Sequence, residues 1–110
     1  MVATDVDIAG IIQSVVDELN GEVPVIKVIL FGSYASGRER PWSDIDIAIV
    51  SPSFSQVPLW RRQERLAELL PGADVRLSPL AYSPQELAQP TPFLREIMRT
   101  GKVVYQAPSS

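Results

Sequence analysis

The sequence predicts an α/β (α+β) fold in which a small mixed β-sheet is covered by helices. Two observations carry that expectation. Segments with apolar residues at three- and four-residue spacing alternate along the chain with short β-branched apolar runs, and turn residues separate them. The 110 residues are 45% hydrophobic and 21% charged, the balance of a soluble globular protein. A domain of this length buries about two-thirds of its unfolded surface, enough for a true core.

The elements follow in order. Ile8, Ile11, Ile12, Val15, Val16 and Leu19 line one face of a helix, with Thr4 and Asp7 to cap its start and Asn20-Gly21 to end it. Val25 to Phe31 is a β-branched run that reads as a buried strand ending at Gly32. Residues 33–43 carry Gly37 and Pro41 and suit a short helical turn followed by a loop. A second strand is expected from Ser43 to Val50. Leu59, Trp60, Gln63, Leu66, Leu69 and Leu70 mark another amphipathic helix, stopped by Pro71-Gly72. Asp74 to Leu77 reads as a third, shorter strand.

Ser83-Pro84-Gln85-Glu86 has the pattern of a helix start, with a capping serine and a glutamate three residues on. Thr91-Pro92 opens one more helix, with Phe93, Leu94, Ile97 and Met98 on one face and Gly101 at its end. Val103 to Tyr105 suits an edge strand or a segment that simply packs down. With no repeats, linkers or low-complexity segments, residues 1–106 are expected to form one domain and residues 107–110 a tail.

Composition narrows the chemistry. Cysteine and histidine are both absent, which removes thiolate and most zinc sites, the Ser-His-Asp arrangement and the Cys-His nucleophile together. Carboxylates are left to do the work. The net charge of -3 opposes general attraction to a phosphate backbone, so a polynucleotide is not the expected substrate. A nucleotide that arrives with magnesium brings its own counter-charge. The first residues lack a signal-peptide pattern and no apolar stretch is long enough for a bilayer, so a cytoplasmic protein is expected.

Asp44 and Asp46 alternate with Ile45, Ile47 and Ile49, so the acids share one face of a strand and the isoleucines the other. A one-residue slip would bury both carboxylates, which sets the register. Two acids about 7 Å apart along a strand can converge on one hard cation or two neighbouring ones, or else solvate the outer face of an edge strand; magnesium favours one or two carboxylates completed by water and substrate phosphates. Upstream, Gly32-Ser33 ends the buried strand and starts a helical turn. Such a turn points unpaired N–H groups at an anion, glycine allows close approach, and serine adds a hydroxyl. Asp5, Asp7 and Asp17 read as capping or surface charge.

Together the segment runs Gly32-Ser33-Tyr34-Ala35-Ser36-Gly37, then a spacer, then Ser43-Asp44-Ile45-Asp46. It resembles the minimal nucleotidyltransferases of the DNA polymerase β superfamily, an antitoxin-like group whose signature is Gly-Ser-x-Ala-x-Gly, a short spacer and Ser-Asp-x-Asp. The resemblance implies the nucleotidyltransferase fold of that superfamily. It assigns Gly32 and Ser33 to the nucleotide phosphates, Asp44 and Asp46 to metal, and Asp74 as the third carboxylate of a catalytic, metal-holding set. Two magnesium ions and ATP are the implied cofactor and co-substrate. Relatives often carry arginine at the position of Ser36; Arg38 and Arg40 are the nearest basic residues and stand outside the core site.

The resemblance further implies transfer of AMP to a hydroxyl acceptor, a tyrosine of a helical HEPN-type toxin partner, with this chain as antitoxin. Two alternatives remain open at this point. The chain could neutralise its partner by contact alone, or act as a stand-alone transferase on a small hydroxylated molecule such as an aminoglycoside. The Phe93, Leu94, Ile97 and Met98 face and the Trp60 region are the apolar surfaces available for a partner, if they do not cover the sheet.

Overall fold

The computed structural model describes residues 7–108. Helix α1 (Ile8–Leu19) starts where Asp7 Oδ1 accepts the Gly10 N–H at 2.9 Å, and it buries Ile12, Val15, Val16 and Leu19. Thr4, the other capping residue expected, lies outside the described residues, as does Asp5. Past the helix, the Asn20 side chain accepts the Val25 N–H at 3.0 Å and turns the chain into strand β1 (Lys27–Phe31). A four-residue helix α2 (Ser33–Ser36) and a loop lead into β2 (Ile45–Val50). The strand therefore begins two residues later than expected, because Ser43 is held in a turn in which its Oγ accepts the Arg40 N–H at 2.8 Å.

Helix α3 (Leu59–Leu69) connects β2 to β3 (Leu77–Tyr82), and α4 (Pro84–Ala88), α5 (Pro92–Thr100) and β4 (Lys102–Gln106) complete the order. The sheet runs β3-β2-β1-β4, with β1 antiparallel to both β2 and β4 and β2 parallel to β3. It is a mixed sheet flanked by helices, as the alternation of apolar periods predicts. Register follows apolar matching: Val28 faces Ile49 and Leu30 faces Ile47 across the β1/β2 ladder.

The two faces of the sheet differ. One, carrying Val28, Leu30, Ile45, Ile47 and Ile49, packs on α1 and α3 through Val15, Val16, Leu19, Leu66 and Leu70. Each fully buried isoleucine or leucine there contributes about 1.5–3 kcal/mol of transfer free energy. The opposite face carries Ile29 and Ala48, covered by Leu94 and Ile97 of α5, with Phe31, Leu80 and Tyr82 at its margins. Asp46 lies on this second, thinly covered face.

Two expectations need correction. The third strand spans Leu77–Tyr82, not Asp74–Leu77. Asp74 closes a turn instead: its carboxylate accepts the Arg76 N–H at 2.9 Å and its carbonyl accepts the Leu77 N–H at 2.9 Å. The strand then runs through Pro79, which an edge position tolerates because a missing N–H breaks no ladder. Within α3, Leu59 and Trp60 are exposed and Arg62 is buried. Its guanidinium is held by carbonyls and a carboxylate: Nε donates to Val57 O at 2.7 Å, Nη1 to Ala81 O at 3.0 Å and to Glu86 Oε1 at 2.7 Å.

The same Glu86 closes the expected capping box, accepting the Ser83 N–H at 2.8 Å while Ser83 Oγ accepts from Glu86 N. Burial pulls the Glu86 carboxyl upward, but Arg62 and Ser83 outweigh it and hold the group below its ordinary value. Ala107, at the start of the expected tail, donates its N–H to Ile26 O at 3.0 Å; Ser109 and Ser110 lie outside the described residues. Among the described residues no helix is long and apolar enough to cross a membrane.

Candidate active site

Gly32 ends β1 with φ 74° and ψ -150°, a backbone conformation that only glycine adopts without strain. A second constraint acts on the same atom. A Cβ at this position would collide with Asp46 Oδ2 and lie 3.3 Å from Asp46 Cγ. The glycine turn and the aspartate strand, 14 positions apart in the chain, are thus in direct apposition. The cause is the β1/β2 ladder, which sets Phe31 opposite Asp46 and leaves Gly32 just past that pair.

Helix α2 follows at once. The N–H groups of Ala35 and Ser36 reach back to Gly32 O at 3.2 Å each, and Gly37, left-handed at φ 74°, closes the far end by donating to Ser33 O. The first N–H groups of such a turn, those of Ser33 and Tyr34, have no acceptor within the helix and are available to an anion. Ser36, where relatives often have arginine, donates its hydroxyl to Ser33 O at 3.2 Å and so serves the turn itself.

Asp44 is exposed immediately before β2, and Asp46 is half-buried on the strand. Burial first, and the neighbouring Asp44 carboxylate second, push the Asp46 carboxyl above its ordinary value. Neither acid has an ion-pair partner among the described residues. A carboxylate pair held this way is short of positive charge. The donor set, two aspartate oxygens beside a turn with open N–H groups, fits magnesium carrying a phosphate-bearing ligand.

Asp74 is not brought to them. It sits in the turn before β3, held by Arg76 through Nε to Oδ1 at 3.1 Å and Nη2 to Oδ2 at 3.1 Å. Those side-chain bonds, and after them the backbone bond from Arg76, lower its carboxyl below the ordinary value. Its neighbours in one hollow are Gln63, Leu66, Ala67, Leu70 and Leu77, on the α3 side of the sheet. The β3 residue opposite Asp46 is Ser78. Among the described residues no three acids cluster in a metal-holding group. The spacing Asp-x-Arg was a visible signal for this turn, since a short acid bonds the backbone two residues on.

The spacer loop adds two features. Arg40 and Ser43 exchange hydrogen bonds, Arg40 N to Ser43 Oγ at 2.8 Å and Ser43 N to Arg40 O at 2.9 Å. The Arg40 guanidinium carbon lies 5.9 Å from the ring centre of Trp42, a cation–π distance, and Arg38 is exposed. On the sheet, Phe31 stands beside Asp46 and packs edge-to-face against Phe93, ring centres 6.2 Å apart and planes at 85°. The apolar face proposed for α5 is split: Leu94 and Ile97 are buried on the sheet, while Phe93 and Met98 are exposed.

Comparison with known proteins gives the family and the fold. The family model of the nucleotidyltransferase domain matches residues 12–100. A candidate protein adenylyltransferase of Methanocaldococcus jannaschii, MJ1305, is 26% identical over 86 residues, which cover 74% of this chain. The match spans 58% of that curated relative's length. Among solved structures, a candidate nucleotidyltransferase from Sulfolobus solfataricus superposes with a TM-score of 0.68 at 17% identity, covering 89% of this chain and 79% of that one. A toxin–antitoxin structure with AMP-PNP gives 0.57 at 22% identity, covering 91% and 74%. A mutant of the MntA–HpeT toxin–antitoxin gives 0.53 at 19%, covering 90% and 73%. At these identities the likeness is one of fold.

Proposed function

Because the chain belongs to the nucleotidyltransferase domain family, we propose that it transfers AMP from ATP to a hydroxyl group on a partner protein. The observation that carries the proposal is the contact of Gly32 with Asp46, which joins a phosphate-accepting turn to an acid pair at one end of the sheet. Gly32 lets the phosphates approach the backbone, and the N–H groups of Ser33 and Tyr34, with the Ser33 hydroxyl, donate to their oxygens. Asp44 and Asp46 would hold magnesium, which neutralises phosphate charge and lowers the pKa of an attacking hydroxyl.

In that frame the acceptor hydroxyl gives up its proton to water, its oxygen attacks the α-phosphorus, the bond from that phosphorus to the α–β bridging oxygen breaks, and pyrophosphate leaves. The chain's own part is positioning: the turn would hold the β- and γ-phosphates while Asp44 and Asp46 at the start of β2 would hold the metal. Asp74 is left out of the proposed set because Arg76 ties its carboxylate into the turn before β3.

The acceptor reading, a tyrosine of a helical HEPN-type toxin neutralised by AMP addition, draws on two supports. The M. jannaschii relative is described as a protein adenylyltransferase, and two solved neighbours of similar fold are toxin–antitoxin assemblies. The test is to incubate the purified chain with magnesium, labelled ATP and such a toxin, and to follow intact mass. Gain of whole AMP units on the toxin, lost with Asp46→Asn, is expected. A stable complex of unchanged mass would replace this reading by neutralisation through contact alone, and label on a small hydroxylated molecule but not on protein would replace the acceptor.

A further inference from the structure

The proposed chemistry leaves the nucleoside half of the nucleotide without an assigned place. Its phosphates are held between Gly32 and the start of β2, and the α1/α3 face of the sheet behind them is filled by the core. The other face, the one on which Asp46 lies, is open to the ribose and base. There the Cα partner of Asp46 is Phe31, so the two side chains share that face with Cβ atoms about 4.5–5.5 Å apart.

Phe93 extends this aromatic surface. It packs edge-to-face on Phe31 at 6.2 Å, yet 57% of it remains exposed, whereas Leu94 and Ile97 on the same helix are buried. A phenyl ring fixed by an aromatic neighbour and still open to solvent is a ready platform for a flat ring. Trp42 is the rival, 73% exposed on the spacer loop, but its ring is already engaged by the Arg40 guanidinium.

We propose that Phe93, braced by Phe31, is the stacking surface for the nucleobase of the nucleotide whose phosphates sit at Gly32 and Ser33. The proposal rests on the nucleotidyltransferase reading and adds the base subsite to it. Stacking of a base on an aromatic side chain changes affinity by about 5- to 150-fold when the aromatic is removed.

The experiment titrates the magnesium complexes of two probes, a non-hydrolysable ATP analogue and inorganic tripolyphosphate, into the wild-type chain and into Phe93→Ala, Phe93→Trp and Trp42→Ala, with thermal melts as a folding control. Phe93→Ala is expected to weaken the ATP analogue about tenfold and leave tripolyphosphate unchanged, while Phe93→Trp keeps the analogue at wild-type affinity or better. Equal weakening of both probes by Phe93→Ala, no weakening of either, or a loss confined to Trp42→Ala would overturn the assignment. If Phe93→Ala fails to fold, Phe93→Trp decides alone, with weaker analogue binding counting against the proposal. Failure of the wild-type chain to bind either probe would sink the parent reading as well, which sets the two failures apart.

Discussion

The start of β2 and the turn before β3 each present an aspartate beside an apolar strand, and the structure treats the two in opposite ways. At β2 Asp46 is partly buried, faces another acid and is pushed toward its protonated form. At the turn Asp74 has an arginine two residues away, takes three hydrogen bonds from it and is held firmly ionised. An acid whose charge is already answered is part of the scaffold. An acid pair whose charge is not answered suits a cation, and the proposed metal site is placed there for that reason.

This contrast can be broken by experiment. The largest expected effect is on transfer: Asp46→Asn should lower the rate at saturating magnesium by at least about 10³-fold, the scale of losing several kcal/mol of metal-borne stabilisation. Retention of more than a tenth of wild-type transfer would remove Asp46 from the site. Gly32→Ala comes next, since it forces a positive φ on alanine and drives a methyl group into Asp46. Strain of about 1–3 kcal/mol predicts nucleotide binding weakened roughly 5- to 150-fold, measurable by calorimetry, with the fold retained.

A smaller effect is on stability. The folded chain binds a proton at Asp46 up to a higher pH than the unfolded chain does, so ionisation of this group opposes folding. Its contribution is neutral below the ordinary carboxylate value of 3.8 and becomes unfavourable as pH rises through the raised folded value. Without metal, Asp46→Asn should therefore melt higher than wild type at neutral pH, by less than about 1 kcal/mol given solvent screening, and the gap should close on acidification. Magnesium should raise the wild-type melting temperature and leave the variant where it was. A gap that widens toward low pH would contradict the sign.

Smallest is Asp74→Asn, expected to change transfer and magnesium affinity by no more than about threefold because hydrogen bonds to the turn persist with the amide. A loss comparable to that of Asp46→Asn would restore Asp74 to the metal set and overturn the contrast itself.

Much of this was readable in advance where the physics is local. The capping box at Ser83 and Glu86, the apolar stripe of α1, and the alternation of acids and isoleucines in β2 each depend on residues within one or two turns of one another. The third strand was misplaced because Pro79 stands in its middle, and proline is admissible there only at the sheet edge, a fact of strand order. Arg62 escaped for a related reason. A basic residue on an amphipathic helix reads as solvated, and its carbonyl and carboxylate acceptors come from Val57, Ala81 and Glu86, the last two on other elements.

Read as a string of residues, the chain already settled which face of β2 carries its acids, where α4 and α5 start, and that a glycine-serine turn precedes those acids, because side-chain periodicity and capping act over a few bonds. Chain pairing decided the rest. Only when Leu30 met Ile47 and Val28 met Ile49 did Phe31 fall opposite Asp46, Gly32 come against its carboxylate, and Phe93 join the same face. Those contacts follow from burying one continuous apolar layer, a condition imposed on the whole sheet at once.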